Sequence, residues 1–177
     1  MRLIFLLSAA AFTLSTNCVN AQNMVRWMTM EEAITKSENA PRKIFVNVYT
    51  EWCKWCKKMD NTTLADDKIA KYINENFYPV RFDAEYKETI VFNNVEFNYV
   101  KSYPKGYNEL AVELLGGKLS FPSLVFIDEK MRVIQSMDGV IEVQELNMIL
   151  QYFATDNYKT IPWRKYSKQY SLPVKKD

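Results

Sequence analysis

The stretch Val46-Asn47-Val48-Tyr49-Thr50-Glu51-Trp52-Cys53-Lys54-Trp55-Cys56-Lys57-Lys58-Met59 constrains the fold more than any other. Lys43 to Thr50 is an apolar run rich in β-branched and aromatic residues, and it reads as a buried strand. Cys-X-X-Cys follows, then residues that continue a helix to about Thr63. A strand that delivers Cys-X-X-Cys to a helix N-terminus is built for redox chemistry. Free N–H groups and the positive end of the helix dipole stabilise a thiolate at the first cysteine. The second cysteine lies one turn along the same face, within reach of the first. Cys53 is therefore the expected nucleophile and Cys56 the resolving thiol. Lys54, Lys57 and Lys58 add positive charge that favours the thiolate. Trp52 and Trp55 frame the pair; they offer apolar surface to a protein substrate or simply pack.

Other readings of the pair fail on composition. A zinc site needs two further ligands, usually Cys or His. The chain has no His, and its remaining cysteine, Cys18, sits in the N-terminal segment. No metal and no bound cofactor is expected, although a zinc site shared between two chains stays open. Covalent haem wants His after the second cysteine, and Lys57 stands there. Cys–His and Ser–His hydrolases are excluded for the same lack. A structural disulfide remains as the alternative, but so short a loop gains little chain-entropy stabilisation.

With 177 residues, 48% of them hydrophobic and 25% charged, the chain suits one domain with a real core. The formal charge of +2 argues against a dedicated nucleic-acid binder. Residues 1–21 read as a secretory signal peptide: Arg2, an apolar core from Leu3 to Leu14, and a small-residue cleavage site at Val19-Asn20-Ala21. The stretch is too short for a comfortable membrane span, and no later one is long and apolar enough. The expected location is outside the cytoplasm, in the periplasm, where a disulfide persists. A competing reading makes Cys18 a lipidated cysteine, but Asn17 fits a lipoprotein cleavage box poorly.

The rest of the chain alternates helices and strands. Thr29-Met30-Glu31-Glu32 has capping-box spacing, so a helix is expected from Met30 to about Asn39, with Trp27 docked on the core ahead of it. A helix capped by Asp66 or Asp67 carries Ile69, Tyr72, Ile73 and Phe77 at helical spacing. A strand at Tyr78–Asp83 follows. Residues 84–106 read as an insertion with a hairpin turning at Asn93-Asn94. It is either a solvated excursion or a substrate contact near the site. Tyr107–Leu115 is a short helix stopped by Gly116-Gly117. Pro122–Asp128 and Met131–Met137 are strands, and Val143, Leu146, Ile149, Leu150 and Phe153 mark a final amphipathic helix. The order implies an α/β sandwich with a mixed sheet and a terminal hairpin. Residues 155–177 form a tail with six Lys/Arg against two Asp and interleaved aromatics, read as packing its rings on the domain with its lysines solvated.

Trp52-Cys53-X-X-Cys56-Lys57 after a hydrophobic strand, with Phe121-Pro122 opening a later strand, resembles the thioredoxin superfamily. Trp52 to Asp83, Gly106 to Ala111 and Gly117 to Pro122 resemble the exported bacterial members with Trp-Cys-X-Trp-Cys-Lys-Lys. The resemblance covers about Trp27 to Phe153. It implies a thioredoxin-like fold, a mixed central sheet flanked by helices, with the inserted hairpin ahead of the third core helix. The domain spans 22–154 and the tail lies outside it. The resemblance also implies a cis peptide before Pro122, with Pro122 facing Cys53 and Trp52, Trp55, Phe121 and Pro122 forming a substrate groove. Cys53 would attack a disulfide and Cys56 would release the product. The partners would be protein thiols or disulfides and a redox partner, with no nucleic acid. One departure stands out. Thioredoxins keep a buried Asp six residues before the first cysteine, and here that residue is Asn47, which cannot act as a general base. Lys54-Trp55 replaces Gly-Pro between the cysteines, so Asn47, Lys54 and Lys57 are expected to tune the pair differently. The alternative function is a binding module of the same fold with an inert disulfide.

Overall fold

The computed structural model describes residues 24–102 and 104–170. The expected signal peptide, Cys18 and the end of the tail lie outside them. The central strand β1 (Ile44–Tyr49) alternates its side chains between two apolar layers. Ile44, Val46 and Val48 join one cluster with Met30, Val80, Leu110 and Ile127. Phe45 joins the other with Met59, Ile73, Phe126 and Phe153. Nearly every β1 side chain is buried because both faces of the sheet are covered.

The helices follow from their caps. In α1 (Met30–Asn39) the Thr29 hydroxyl accepts from Glu32 N and the Glu32 carboxylate accepts from Thr29 N, the reciprocal box expected from the sequence. Cys53 is the N-cap of α2 (Lys54–Asn61) and Asp66 that of α3 (Asp67–Asn76). β2 (Tyr78–Asp83) runs parallel to β1. β7 (Ser123–Ile127) is antiparallel to β1, and β8 (Val133–Asp138) pairs antiparallel with β7. The sheet order is β2-β1-β7-β8, a mixed four-stranded sheet.

Several boundaries differ from the sequence reading. The motif helix ends at Asn61 rather than near Thr63. Thr63 is buried and donates to the Ile141 carbonyl at 2.7 Å, which draws the chain away. The last strand starts at Val133 because Met131 takes a positive φ of 59° in the turn. Tyr107–Asn108 is not helical; it forms β6, paired with β5 (Tyr99–Val100), and α4 (Glu109–Leu114) starts after it. Asn108 prefers the N-cap, where its side chain accepts from Leu110 N. The tail also holds elements the composition did not reveal: a 3-10 turn over Asn157–Lys159, and α6 (Trp163–Tyr170), which follows α5 (Val143–Ala154). Its aromatics do pack on the domain, with Tyr166 at 4.8 Å and Trp163 at 5.2 Å from the Tyr152 ring.

The insertion is no solvated excursion. Its hairpin, β3 (Ile90–Phe92) and β4 (Val95–Phe97), turns at Asn93 and Asn94, both at positive φ as expected. Ile90 and Phe92 are buried in the cluster around Val80 and Leu110. Period-two alternation over three residues was too short a signal to show this.

Lys43, at the start of β1, ties the tail to the sheet. Its ammonium lies 2.7 Å from Glu129 and 2.8 Å from Asp156. Burial alone would lower the Lys43 pKa, but hydrogen bonds to Asp156 and Glu129 outweigh it and hold it above the usual lysine value. The bond to Lys43 holds the Asp156 carboxyl below its usual range. The depressed Asp156 stabilises the fold above the ordinary carboxylate pKa, and that contribution is lost as pH falls through the folded value. The raised Lys43 stabilises it below the ordinary lysine pKa, with loss as pH rises through the folded value. Lys43→Met is expected to cost about 2 kcal/mol at neutral pH, from charge-assisted bonds to half-exposed partners. The difference from wild type should shrink in acid as Asp156 protonates. Denaturant titrations at neutral and acid pH check this, and an equal loss at both would refute it.

Candidate active site

The fold places the cysteine pair where β1 ends and α2 begins. Cys53 N donates to Thr50 O at 3.1 Å, closing the turn between them. Cys53 Sγ accepts from Cys56 N at 3.0 Å. The sulfur thus occupies the N-cap position, where backbone donors and the helix dipole favour negative charge. Cys53 and Cys56 form a disulfide, and they are 5% and 1% exposed. The difference is small, but the deeper sulfur is the one expected to resolve.

Trp52 is held on three sides. Its indole Nε1 donates to Glu85 Oε1 at 2.8 Å. The Phe121 ring meets it edge-on at 6.1 Å, and Lys105 Nζ lies over it at 5.3 Å. Glu85 and Lys105 come from the two ends of the insertion, so the insertion does reach the residue beside Cys53. Trp52 still leaves about half its surface open. Pro122 is buried, and its peptide with Phe121 is cis, as the resemblance implied. Ser123 pairs with Val48 in the β1–β7 ladder, so Pro122 stands beside the end of β1 that leads into the cysteine turn. Trp55 is the most open of the four, at 61%, with Lys58 Nζ 5.3 Å over its ring. Lys54 and Lys57 are exposed.

Asn47 is fully buried, and its Nδ2 donates to Asp60 Oδ1 at 3.1 Å. Arg81 Nη2 donates to Asp60 Oδ2 at 2.9 Å, and its guanidinium stacks 4.2 Å over the Tyr49 ring. Burial pushes the Asp83 carboxyl above the ordinary Asp value, and the charges of Glu85 and Glu51 add to it. Asp60, Arg81, Glu85 and Lys105 were not among the residues singled out from sequence. Asp60 was within reach, since it follows Cys56 by four residues and shares its helix face. Arg81 needed the β1–β2 register, where it pairs with Asn47. Among the described residues no three His, Cys, Asp or Glu gather as for a metal ion, and no helix is long and apolar enough to cross a membrane.

Residues 30–154 match the family model of the thioredoxin-like domain, and the chain belongs to that family. The described fold agrees. A thioredoxin from Thermus thermophilus superposes with a TM-score of 0.57 at 17% identity, covering 75% of this chain and 88% of that one. A DsbH oxidoreductase superposes with a TM-score of 0.54 at 19% identity, covering 83% and 95%. Spermatogenesis-associated protein 20 of Rattus norvegicus is 28% identical over 88 residues, 49% of this chain. An uncharacterized protein of Caenorhabditis elegans is 30% identical over 67 residues, 37% of this chain. The match spans only 11% of the first relative and 9% of the second. A thioredoxin-like domain with Cys-X-X-Cys at a helix N-terminus supports oxidoreductase activity in general.

Proposed function

We propose that this protein is an exported, periplasmic thiol-disulfide oxidoreductase that acts on protein disulfides through Cys53 and Cys56. The observation that carries the reading is Cys53 Sγ at the α2 N-cap, 3.0 Å from Cys56 N. A thiolate there keeps the same donor after reduction. Cys53 attacks a substrate disulfide and forms a mixed disulfide, while one substrate sulfur leaves as thiolate. Cys56 then attacks Cys53, the internal disulfide closes, and the reduced substrate departs. An external dithiol restores the pair. Trp52, Phe121 and Pro122 form the docking surface beside Cys53, with Trp55 as a separate open contact. Lys54 and Lys57 add charge that favours the thiolate. Residues 1–21 direct export in this reading, and 155–177 are an appended tail.

The test is trapping. Cys56→Ser leaves Cys53 able to attack and nothing to release the product. Incubated with an extract of oxidised secreted proteins, this variant should accumulate covalent adducts that a reductant removes. A Cys56→Ser protein that forms none, together with a wild type that does not reduce insulin, would sink the reading in favour of an inert disulfide.

Asn47→Asp is expected to speed the resolving step at neutral pH. The new carboxylate would stand beside Asp60, and two carboxylates that close raise the pKa of one of them toward neutrality. That supplies a base where Asn47 supplies none. Single-turnover release from a preformed mixed disulfide should quicken by about tenfold or more; an unchanged rate would remove the idea.

A further inference from the structure

Asn47 carries an unused atom. Its Nδ2 donates to Asp60, but its Oδ1 is buried with no hydrogen-bond partner among the described residues. Turning the amide over does not help, because it would set the oxygen against the Asp60 carboxylate. Arg81 holds that carboxylate from the other side, and Arg81 is itself stacked on Tyr49. The amide is therefore fixed with its nitrogen toward Asp60 and its oxygen left over. Thr50 Oγ1, a second buried polar atom without a partner among the described residues, lies three residues on. Asn47 lies within β1 and Thr50 on the passage from its end to Cys53.

A buried carbonyl oxygen held this way wants a donor. The oxidised protein offers none nearby, since a disulfide sulfur carries no proton. Reduction changes that. An incoming dithiol breaks the Cys53–Cys56 bond, gives up two electrons and two protons, and becomes a disulfide. Cys56, 1% exposed, is then a buried S–H donor. It lies one helical turn from Asp60, the α2 residue that accepts from Asn47.

We propose that Asn47 Oδ1 accepts a hydrogen bond from the reduced Cys56 thiol, directly or through one water, and that Asp60 and Arg81 are positioning residues that hold the amide for it. The inference rests on the redox reading above. The bond exists only while Cys56 is a free thiol, in the reduced protein and in the mixed disulfide but not in the internal disulfide, so it makes that disulfide easier to reduce. It also holds the proton on Cys56, so the mixed disulfide with substrate is long-lived. The pair is thereby suited to substrates that need prolonged engagement.

The test compares reduction potentials of the full chain carrying Cys18→Ser, alone and with Asn47→Ala or Asp60→Ala. Each protein is equilibrated with thiol–disulfide buffers and its free thiols are trapped. Both variants should shift the equilibrium toward the disulfide by about three- to tenfold, a potential lower by about 14 to 30 mV for a two-electron couple. Asp60→Glu should restore most of the shift. In the reduced proteins, the infrared S–H stretch assigned to Cys56 should move to higher frequency in Asn47→Ala. A merely structural role would lower stability without moving the potential or the stretch, and that result overturns the inference. Asp60→Ala carries the test if Asn47→Ala fails to fold. A wild-type pair that stays oxidised even in strongly reducing dithiol buffers would instead overturn the oxidoreductase reading itself.

Discussion

Cys53→Ser is expected to lower reduction of a protein disulfide such as insulin to the uncatalysed background, a loss of at least about three orders of magnitude. A hydroxyl at the α2 N-cap still accepts from Cys56 N, so the local fold should survive. It is not ionised near neutral pH and is a poor nucleophile toward a disulfide, and the internal disulfide cannot form. Cys56 cannot take over readily. It is 1% exposed, whereas Trp52 beside Cys53 stands half open. The double variant with Cys56→Ser should therefore be no worse than Cys53→Ser alone, because the two cysteines act as a unit. The measurement is turnover with a dithiol supplied in excess, alongside a far-ultraviolet spectrum to show that folding is unchanged. A Cys53→Ser protein retaining a tenth or more of wild-type activity would mean that the chemistry lies elsewhere in the molecule.

The strand and helix around Cys53 were legible because local signals agreed with the tertiary demand. β1 is apolar on both faces because both faces are covered, and the residue after it begins a capped turn. The capping box at Thr29 and the paired asparagines at Asn93-Asn94 each name their geometry from two or three residues. What escaped the sequence was set by contacts distant along the chain. Glu85 and Lys105 flank Trp52 only because the insertion doubles back on itself. Asp60 and Arg81 meet Asn47 through a helix packed on one strand and a register with another. Tyr166 and Trp163 are aromatic residues in a basic tail until Tyr152 gives them a surface. A replacement such as Asn47 for a buried acid is visible in one dimension, but what surrounds it is not.

Asn108→Ala is expected to cost about 3 kcal/mol, the sum of three side-chain hydrogen bonds at about 1 kcal/mol each. Asn108 is fully buried. Its Oδ1 accepts from Leu110 N at 3.0 Å and caps α4. Its Nδ2 donates to the carbonyls of Tyr86 and Glu88, both at 3.1 Å. The side chain therefore fastens the first turn of the insertion to the helix after it, and alanine leaves one amide and two carbonyls unpaired. Its backbone N–H to Ala84 O, at 2.7 Å, survives the change. The loss should concentrate locally, since the sheet does not depend on these bonds. Amides from about 85 to 100 should exchange faster with solvent while those of β1 and β7 keep their protection. Glu85, which fixes the Trp52 indole, lies at the edge of the loosened segment. The apparent KM for a protein disulfide should then rise while exchange with a small dithiol stays unchanged, because only the larger substrate uses the Trp52 surface. A stability loss under about 1 kcal/mol, or faster exchange spread evenly over the sheet, would show that Asn108 is not the fastening.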